Sequence, residues 1–475
     1  MADIDTFDHG LAALKAIVGD GGWLDQPGDM APFARDWRGG YDGVAALVVK
    51  PRSVDQVVEL VKCANKYRIG LVPQGGNTGL VLAGIPDQSG RQVVVSLERL
   101  NRIRAVDADD FSLVAEAGVI LTQVQEAAEA VDRLFPLSLG SQGSARIGGL
   151  VSTNAGGVHV LRYGSMRALV LGVEAVLPNG EVFHGLTPLR KDNTGYDLKQ
   201  LLVGGEGTLG IVTAVTLKLF PRPRDVVTAW VALDDPDKAV GLLAHLRAAT
   251  GDQVCAFEMI PRIGVDLTLQ HIPDTRDPLP GTPSPWVVLT EMSSTRADSG
   301  LREVAEAALA EAFERGLARD AVLAESQAQG QAMWKIRETL PLAERMDGIG
   351  LHHDISVSVA RMPAYITEGT AALEALMPGV RVIAFGHLGD GNIHFSVHGP
   401  LGMTPAEFYG RAREISACVY ELVLKYGGSI SAEHGIGMEK REQLAATADP
   451  AKLWALRAIK TALDPNGIMN PGKVV

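Results

Sequence analysis

The sequence predicts an α+β protein made of two differently built parts. Up to about residue 220, short β-branched runs such as Ala45–Val49 alternate with helical segments and glycine-rich loops. After the Pro-Arg-Pro-Arg run at 221–224, longer helical segments appear around 237–249 and 301–317, with strands such as 286–292 between them. These observations predict a domain boundary near residue 222 and a second α+β domain beyond it.

Composition and charge argue against several functional classes. The 475-residue chain has a net charge of −12 and no long Lys/Arg block, which disfavours binding to nucleic acids or anionic membranes. Cys63, Cys255 and Cys418 are isolated, so no disulfide framework, iron–sulfur cluster or cysteine zinc site is expected. The acidic N-terminus and the lack of an apolar run of about 18 residues predict no secretory signal or transmembrane segment. We therefore expect a cytoplasmic protein, soluble or peripheral to a membrane.

The first strand–helix–strand unit is predicted from its capping residues. Ser53 and Gln56 form a capping-box signature, and the apolar spacing from Val54 to Ala64 fits a helix. Gly70 is expected to end this helix, because glycine adopts the left-handed conformation common at helix C-termini. A strand and a glycine-rich loop follow.

Residues 204–210, GGEGTLG, match the dinucleotide-binding pattern G-x-G-x-x-G from Gly205 onward. A Rossmann site requires a strand before this turn, a helix after it and an acid about 20 residues later. Here the preceding run is compatible with a helix, and the following run, IVTAVTLKLF, is a strand pattern. Pro221 and Pro223 stand about where the acid should be. The sequence therefore predicts a tight turn into a strand rather than a Rossmann fold.

Two other glycine-rich loops are better phosphate-binding candidates. In VPQGGNTGL, Gly75, Gly76 and Gly79 leave the backbone N–H groups accessible to an anion, and Asn77 and Thr78 can add hydrogen bonds. An ordinary strand-end loop is the alternative for this segment alone. A second small-residue stretch, 148–157, makes that alternative weaker. Together the two loops suit one extended ligand such as FAD.

The sequence FGHLGDGNIHFSV indicates a metal or catalytic site. His387 and His394 are separated by glycines that allow a sharp turn, and SAEHGIG places Glu433 beside His434. Two histidines and a carboxylate are the ligands of an open catalytic Zn²⁺ or Mn²⁺ site. A purely structural role remains the alternative for each histidine taken alone.

Taken together, these stretches resemble one protein family. PQGGNTGL, IGGLVSTNAGG, RYGSMRALVLGVEAVLPNGEV and LRKDNTGYDLKQLLVGGEGTLGIVTAVTLKL are similar to the FAD-binding half of vanillyl-alcohol oxidase/p-cresol methylhydroxylase-type flavoproteins. RKDNTGYDLKQL, GHLGDGNIH, AEHGIG and the terminal MNPGK resemble the D-2-hydroxyglutarate dehydrogenase and FAD-linked D-lactate dehydrogenase branch. The resemblance extends from about Ala45 to Val475.

This resemblance implies a p-cresol methylhydroxylase-type FAD-binding domain of two α+β subdomains, plus an α+β substrate (cap) domain with an antiparallel sheet. The FAD domain would comprise residues 1–222 and the substrate domain residues 223–430. Residues 431–475 would return to the FAD domain and complete the active site. The implied FAD-binding residues are Pro73, Gln74, Gly75, Gly76, Asn77, Thr78, Gly79, Leu139, Gly140, Gly143, Gly148, Gly149, Ser152, Thr153, Asn154, Gly156, Gly157, Tyr163, Gly164, Glu206, Gly210, Ile211 and Asn470.

The same resemblance implies the residues that act on the substrate. It makes His387, His394 and Glu433 the metal ligands. It makes His434 the catalytic base and Arg337 the residue that binds the substrate carboxylate. The other catalytic residues that it implies are Asn392, His352 and Ser396. His352 stands where family members often have lysine, and Ser396 where some have asparagine. Both departures lie at expected substrate positions and make the identity of the acid less secure than the reaction type.

The function implied is FAD- and metal-dependent oxidation of a D-2-hydroxy acid, with D-2-hydroxyglutarate the best guess, to the 2-oxo acid. The metal would be zinc or manganese. Electrons would pass from FAD to a separate acceptor such as an electron-transfer flavoprotein, a quinone or a cytochrome, and a homodimer is one arrangement that the sequence allows. FAD-linked D-lactate dehydrogenase is the alternative. A metal-free oxidase or an electron-transfer flavoprotein subunit on the same fold are further alternatives.

Overall fold

The computed structural model describes residues 2–475, with side chains from Thr6 onward. The chain divides into two compact units: unit 1 consists of Met1–Gly156, Gly164–Arg222 and His434–Val475, and unit 2 of Gly157–Tyr163 and Pro223–Glu433. The first predicted boundary, 222/223, falls at this division, whereas the second division lies three residues after the predicted residue 430. Residues 157–163, predicted within the FAD domain, belong to unit 2. The assignment of the units to cofactor and substrate stays a prediction.

The strands of unit 1 are on average shorter than those of unit 2. In chain order they are β1 (Trp23–Leu24), β2 (Ala45–Val49), β3 (Gly70–Gln74), β4 (Gln92–Ser96), β5 (Ile103–Asp107), β6 (Ser112–Glu116), β7 (Arg133–Leu134), β8 (Val170–Val176), β9 (Val182–Gly185), β10 (Ile211–Lys218), β11 (Phe220–Pro221), β12 (Asp225–Leu233), β13 (Val254–Pro261), β14 (Trp286–Ser294), β15 (Asp320–Leu323), β16 (Gly350–Ser356), β17 (Arg381–Phe385) and β18 (Asn392–His398).

The helices range from single turns to a helix of six turns. They are α1 (Ala2–Val18), α2 (Pro27–Ala34), α3 (Val54–Tyr67), α4 (Leu121–Glu129), α5 (Ile147–Ser152), α6 (Val160–Tyr163), α7 (Met166–Leu169), α8 (Lys199–Leu202), α9 (Pro236–Ala249), α10 (Arg262–His271), α11 (Leu301–Glu314), α12 (Gln327–Asp347), α13 (Met362–Leu376), α14 (Pro405–Gly410), α15 (Ala412–Lys425), α16 (Arg441–Thr447) and α17 (Pro450–Leu463), with 3₁₀ turns at Val359–Arg361 and Leu388–Asp390. Within the described chain, no helix has both the length and the apolarity needed to cross a membrane.

Unit 1 contains two main sheets. A four-stranded sheet has the order β1-β2-β4-β3, in which β4 pairs in parallel with β2 and β3. An antiparallel five-stranded sheet has the order β5-β6-β10-β8-β9. Helix α3 buries Val57, Leu60 and Val61 in the core that also holds Leu47 and Val93 of the four-stranded sheet. The result confirms the predicted α+β class.

Helix α3 begins as predicted but ends differently. The Ser53 hydroxyl accepts from the Gln56 amide, and α3 ends at Tyr67. The prediction that Gly70 ends the helix is wrong, because Arg68 takes the left-handed position, with φ of 56°. Gly70 instead begins β3, where a Cβ atom would lie 2.8 Å from Cγ of Pro471. Glycine is needed there for close packing rather than for a helix cap.

The GGEGTLG segment is a turn into a strand, as its sequence predicts. The short helix α8 precedes it, and β10 follows directly and forms the centre of the five-stranded sheet. Glu206 and Gly207 have positive φ angles of 48° and 71°, which makes the turn tight. The order helix–turn–strand is the reverse of a Rossmann unit, so this motif does not place a pyrophosphate at a helix N-terminus.

Unit 2 contains an antiparallel four-stranded sheet, β13-β14-β12-β15, and an antiparallel three-stranded sheet, β16-β18-β17. In the second sheet, His352 lies opposite Ser396, and Asp354 lies opposite His394. Directly opposed residues share a face, and so do residues two apart on one strand. His394, Ser396 and His398 therefore line the same face as His352 and Asp354. This polar face carries the site described next.

Candidate functional site

The three predicted metal ligands come together in unit 2. His387 follows β17, His394 lies within β18, and Glu433 is the last residue of the unit. The Glu433 Oε1 atom lies 3.9 Å from Nε2 of His387 and 3.7 Å from Nε2 of His394, and the two imidazole centroids are 5.5 Å apart. Both Nε2 atoms thus face one carboxylate oxygen. This convergence of a carboxylate and two imidazoles fits a divalent transition metal.

The orientation of His387 is set by Glu258, a residue that the sequence prediction missed. Nδ1 of His387 lies 2.7 Å from Glu258 Oε1, a hydrogen bond in which the nitrogen donates when it carries the proton. The other carboxylate oxygen accepts from Nε of Arg337, also at 2.7 Å. A carboxylate behind a metal-binding histidine fixes the ring and leaves the second nitrogen for the ion. The only signal in the sequence is a lone acid inside the otherwise apolar strand β13.

Burial and neighbouring charges shift the pKa values of this group. Burial alone would lower the pKa of His387, but the adjacent Glu258 carboxylate raises it to about 9. Burial alone would raise the pKa of Glu258, whereas His387 and Arg337 lower it to about 2. Burial raises the pKa of Glu433 to about 7 despite the nearby His387. A divalent ion would favour the deprotonated forms of Glu433 and both histidines, because metal ligands must be deprotonated.

Asp354, also missed by the sequence prediction, holds the segment that carries Glu433. Its Oδ2 accepts from the backbone N–H groups of Ala432 at 3.1 Å and Glu433 at 2.9 Å. Its Oδ1 accepts from Nδ2 of Asn392 at 2.9 Å, and the same amide nitrogen donates to the carbonyl of Ile355. One donor atom each from Asp354, His394 and Glu433 lies within 4.8 Å of the others. The structure thus gives Asn392 a positioning contact, and the catalytic role implied by the resemblance stays a prediction.

Arg337 is buried on helix α12 and fixed from two sides. Its Nε bonds to Glu258, and its guanidinium lies 4.8 Å from the ring centre of Phe385. A guanidinium held through Nε keeps its planar fork in one orientation, which suits bidentate binding of a carboxylate. Its proposed role as the substrate-carboxylate residue is compatible with this geometry.

His352 and Ser396 form a pair on the same sheet face. The two residues are in register on β16 and β18, and Nδ1 of His352 lies 2.9 Å from the Ser396 hydroxyl. They stand two residues along their strands from Asp354 and His394. The two predicted substrate positions are therefore neighbours of the metal group.

In unit 1, the two glycine-rich loops predicted to bind phosphate meet each other. A Cβ atom on Gly75 would lie 3.3 Å from the backbone nitrogen of Gly149, and one on Gly76 would overlap the carbonyl oxygen of Ser144. A Cβ atom on Gly79 or Gly140 would meet nothing within 4 Å. Backbone thus packs on backbone at one end of the loops, while space remains at the other. Such a cradle fits an extended anionic cofactor.

Glu206 of the GGEGTLG turn ties this region to the C-terminal segment. Its backbone N–H donates to Ser152, and its carboxylate accepts from the N–H groups of Ile436 at 2.7 Å and Gly437 at 2.6 Å. Asn470 donates through Nδ2 to the carbonyl of Glu206 at 2.6 Å. Oδ1 of Asn470 is buried and has no hydrogen-bond partner within the described chain. A polar group of the cofactor would satisfy this acceptor.

Comparison with known proteins identifies the family of the chain. Residues 222–474 match the family described as FAD linked oxidases, C-terminal domain, and residues 45–185 match the FAD binding domain family. The chain belongs to the FAD-linked oxidases. It is therefore an FAD-dependent oxidoreductase, and FAD is its cofactor.

Curated relatives of this FAD-linked oxidase cover almost the whole chain. It is 35% identical to D-2-hydroxyglutarate dehydrogenase of Stutzerimonas stutzeri, with 97% of each chain aligned. It is 36% identical to the mitochondrial D-2-hydroxyglutarate dehydrogenase of Arabidopsis thaliana, over 98% of this chain and 81% of the plant protein. A D-2-hydroxyglutarate–pyruvate transhydrogenase of Saccharomyces cerevisiae is 34% identical over 98% of this chain and 94% of its own.

Solved structures show the same fold. A p-cresol methylhydroxylase with bound substrate superposes with a TM-score of 0.75 at 17% identity, covering 99% of this chain and 97% of its own. An alkyldihydroxyacetonephosphate synthase gives a TM-score of 0.73 at 18% identity, covering 98% and 85%. The predicted p-cresol methylhydroxylase-type fold is confirmed.

In this FAD-linked oxidase, several predicted cofactor residues use their side chains to hold the loops. Gln74 and Asn77 donate through their amides to carbonyl groups of segment 32–35. Asn154 accepts from the backbone N–H of Arg167 at 2.8 Å. Because these side-chain amides are bonded within the protein, we expect the backbone of the loops to make the contacts with FAD.

The remaining predicted FAD-binding residues divide between the units. Gly157 and Tyr163 lie in the 157–163 segment of unit 2. The others lie in unit 1, at the end of β3, in the loop before α5, in and after α5, and at the start of β10: Pro73, Thr78, Leu139, Gly143, Gly148, Ser152, Thr153, Gly156, Gly164, Gly210 and Ile211. His434, the predicted base, is the first residue of the last segment of unit 1. Their individual roles stay predictions.

Proposed function

We propose that this FAD-linked oxidase oxidises a D-2-hydroxy acid, with D-2-hydroxyglutarate the first candidate, to the 2-oxo acid with the help of a divalent metal. The observation that carries the proposal is the His387–His394–Glu433 group with Glu258 behind it. The names of the curated relatives supply the substrate class. Zn²⁺ is the favoured ion, and Mn²⁺ is the second choice, because the ligands are imidazole and carboxylate.

The bound cofactors would supply the electronic chemistry: the metal lowers the pKa of the substrate hydroxyl, and FAD accepts the hydride. Arg337, held by Glu258, would bind the substrate carboxylate through its guanidinium and orient the acid. His434 would accept the hydroxyl proton through a neutral ring nitrogen. Asp354 would keep Glu433 in place through its backbone contacts. Each of these steps uses a group that the sequence places in a recognisable motif, apart from Glu258 and Asp354.

FAD-linked D-lactate oxidation is the second candidate, and one observation favours it. His352, where relatives often have lysine, lies 3.9 Å from the buried carboxylate of Glu344. With no ion bound at Glu344, a second substrate carboxylate close to it would meet a like charge, which costs free energy in a buried place. A short acid such as D-lactate has no such group.

A substrate panel under anaerobic conditions tests the proposal. The purified protein is expected to be yellow, and D-2-hydroxyglutarate or D-lactate should bleach its flavin absorbance, while the L-isomers should not. Chelation should slow the bleaching, and so should His434→Ala. If no D-2-hydroxy acid reduces the flavin, the proposed activity is wrong. If chelation and His434→Ala both leave the rate unchanged, the metal-and-base mechanism is wrong.

Two readouts separate the remaining alternatives. Rapid oxygen consumption that needs no metal would identify a metal-free oxidase on the same fold. Turnover of the single purified chain with an artificial dye would exclude a purely electron-transferring subunit.

The separate acceptor, the homodimer and the cytoplasmic location are further parts of the proposal. An electron-transfer flavoprotein, a quinone analogue and a cytochrome can be compared as oxidants of the reduced flavin, and slow reoxidation by all three would contradict a separate acceptor of these kinds. Light scattering measures the oligomeric state. Cell fractionation measures the location.

A further inference from the structure

A second group of potential metal ligands lies on the sheet face that carries the first. Glu344 on helix α12, His352 on β16 and His398 on β18 each offer one donor atom, and these atoms all lie within 4.8 Å of one another. We call these three residues the second histidine group. All three belong to unit 2.

Two members of this group, Glu344 and His398, have buried polar atoms with no hydrogen-bond partner within the described chain. The His398 side chain is fully buried, and neither of its ring nitrogens has a hydrogen-bond partner within the described chain. Oε1 of Glu344, a residue 1% exposed, also lacks one. His398 Nε2 and Glu344 Oε1 face each other at 3.7 Å, which is too long for a hydrogen bond. Buried polar atoms are nearly always satisfied, so these atoms point to a group that would lie between them.

We propose that Glu344, His352 and His398 bind a divalent transition metal ion, with Zn²⁺ as the reference ion. Around a tetrahedral zinc ion with bonds of about 2.0–2.2 Å, neighbouring ligand atoms are roughly 3.4 Å apart. The 3.7 Å between His398 Nε2 and Glu344 Oε1 is close to that separation. The donor atoms of all three residues lie within 4.8 Å of one another, so small side-chain shifts would bring them to the distances found around a zinc ion. Two imidazoles and one carboxylate favour zinc-like ions over Ca²⁺ and Mg²⁺, which prefer oxygen ligands.

A carboxylate also faces the other ring nitrogen of the buried His398. Nδ1 of His398 faces Oδ2 of Asp347 at 3.9 Å, and Arg381 donates to the same oxygen at 2.6 Å. Asp347 thus stands on the side of the ring opposite Glu344, as carboxylates do behind metal-bound histidines. The hydroxyl of Ser396 fixes the His352 ring through Nδ1. The His352 ring is therefore oriented before any ion binds.

The second histidine group is distinct from the His387–His394–Glu433 group. His398 lies four residues beyond His394 on β18, a spacing of about 13 Å along a strand. Ions in a two-metal catalytic site are only about 3.5–4 Å apart, so the two groups would act as separate mononuclear sites. His352 is the exposed member, which gives an ion access from solvent. This inference does not depend on the proposed oxidation.

Metal stoichiometry of the full-length, FAD-loaded protein tests the inference. The protein is stripped with chelator, dialysed against buffered zinc chloride and analysed for zinc by mass spectrometry. We expect about two zinc ions per chain, one at each group. Glu344→Gln and Glu433→Gln should each remove one ion, and the double variant should remove both. His352→Gln should weaken the second site, whereas the matched control His184→Gln, also an exposed histidine, should not.

Cobalt substitution gives a second readout. The visible bands of Co²⁺ report on its coordination, so Glu344→Gln should remove one set of bands and Glu433→Gln a different set. Flavin absorbance and circular dichroism show whether each variant is folded. A single zinc ion that Glu433→Gln removes and Glu344→Gln leaves would overturn the second site and keep the first. If the ion that remains in Glu433→Gln also remains in the folded double variant, where Glu344→Gln is added, the second site is likewise overturned.

Discussion

The candidate ligand sites of the two units are built in different ways. In unit 1 the predicted FAD loops rely on backbone: glycines pack against one another, and the amides of Gln74 and Asn77 serve only to hold the loops. In unit 2 the proposed metal group relies on side chains, with Glu258 and Asp354 holding His387 and Glu433 in position. We therefore expect glycine-to-alanine substitutions to disrupt the loops of unit 1 through steric overlap. In unit 2, replacing a carboxylate by an amide of the same shape should disrupt the proposed metal site.

Glu433→Gln should have the largest effect. It keeps the shape of the side chain but removes the carboxylate oxygen that both histidines face, so kcat/KM for the best D-2-hydroxy acid should fall by about 10³-fold or more. FAD content should not change. Glu414→Gln, at an exposed acid, is the control and should retain full activity. A Glu433→Gln enzyme with near-normal kcat/KM would remove the basis for a metal in unit 2.

Glu258→Gln should be the next largest. The amide can no longer bond to both His387 and Arg337 as a charged acceptor, so metal affinity should fall by about 10–100-fold. Isothermal titration with Zn²⁺ measures this loss. Glu116→Gln is a matched control, because Glu116 is also a buried strand acid bonded to arginine but lies in unit 1. Equal zinc affinity in the wild type and Glu258→Gln would show that Glu258 only fills space.

Gly76→Ala should damage unit 1 through sterics alone. The added methyl group would overlap the Ser144 carbonyl, so the loops must separate, and the free energy of unfolding should fall by about 2–3 kcal/mol with loss of FAD. Gly28→Ala is the control, because its methyl group would meet nothing within 4 Å and Gly28 lies in unit 1 outside the predicted FAD loops. Thermal unfolding and the flavin-to-protein absorbance ratio measure both variants. If the two behave alike, the backbone packing of these loops is not what retains FAD.

Ser396→Ala should have the smallest effect. It removes the hydroxyl that bonds to His352, a contribution of about 0.5–1.5 kcal/mol, so KM should change by roughly 2–10-fold while kcat stays close to normal. Steady-state kinetics with D-2-hydroxyglutarate and D-lactate provide the measurement. Thr290→Val, at a buried hydroxyl in the other sheet of unit 2, serves as the control and should leave KM unchanged. A large fall in kcat for Ser396→Ala would instead place this hydroxyl at the reacting atoms.

Local patterns in the sequence predicted much of the fold and part of the site. The run IVTAVTLKLF after GGEGTLG predicted β10, and this excluded a Rossmann unit. The spacing of His387 and His394 predicted their convergence, because glycines between them permit a sharp turn. The prediction that Gly70 ends helix α3 is wrong because glycine is needed there for the close packing of Pro471, which is far away in the chain.

Glu258, Asp354 and the second histidine group could not be found in this way. Glu258 is 129 residues from His387, and only the placement of β13 beside the end of β17 brings them together. Glu344 and His398 carry no motif, and only the tertiary structure brings helix α12 and strand β18 together at this point. Charged residues in strands are individually unremarkable in sequence until their partners are known.

The sequence by itself determined the α+β class, the tight turn at 204–210, the glycine loops and the paired histidines, since these depend on residues close together in the chain. The tertiary structure decided which carboxylates stand behind the histidines and which backbone groups the glycines allow to touch. It also decided which polar atoms are buried without partners. These features depend on strand register and burial, which bring distant residues into one low-dielectric place where a single charge changes the chemistry.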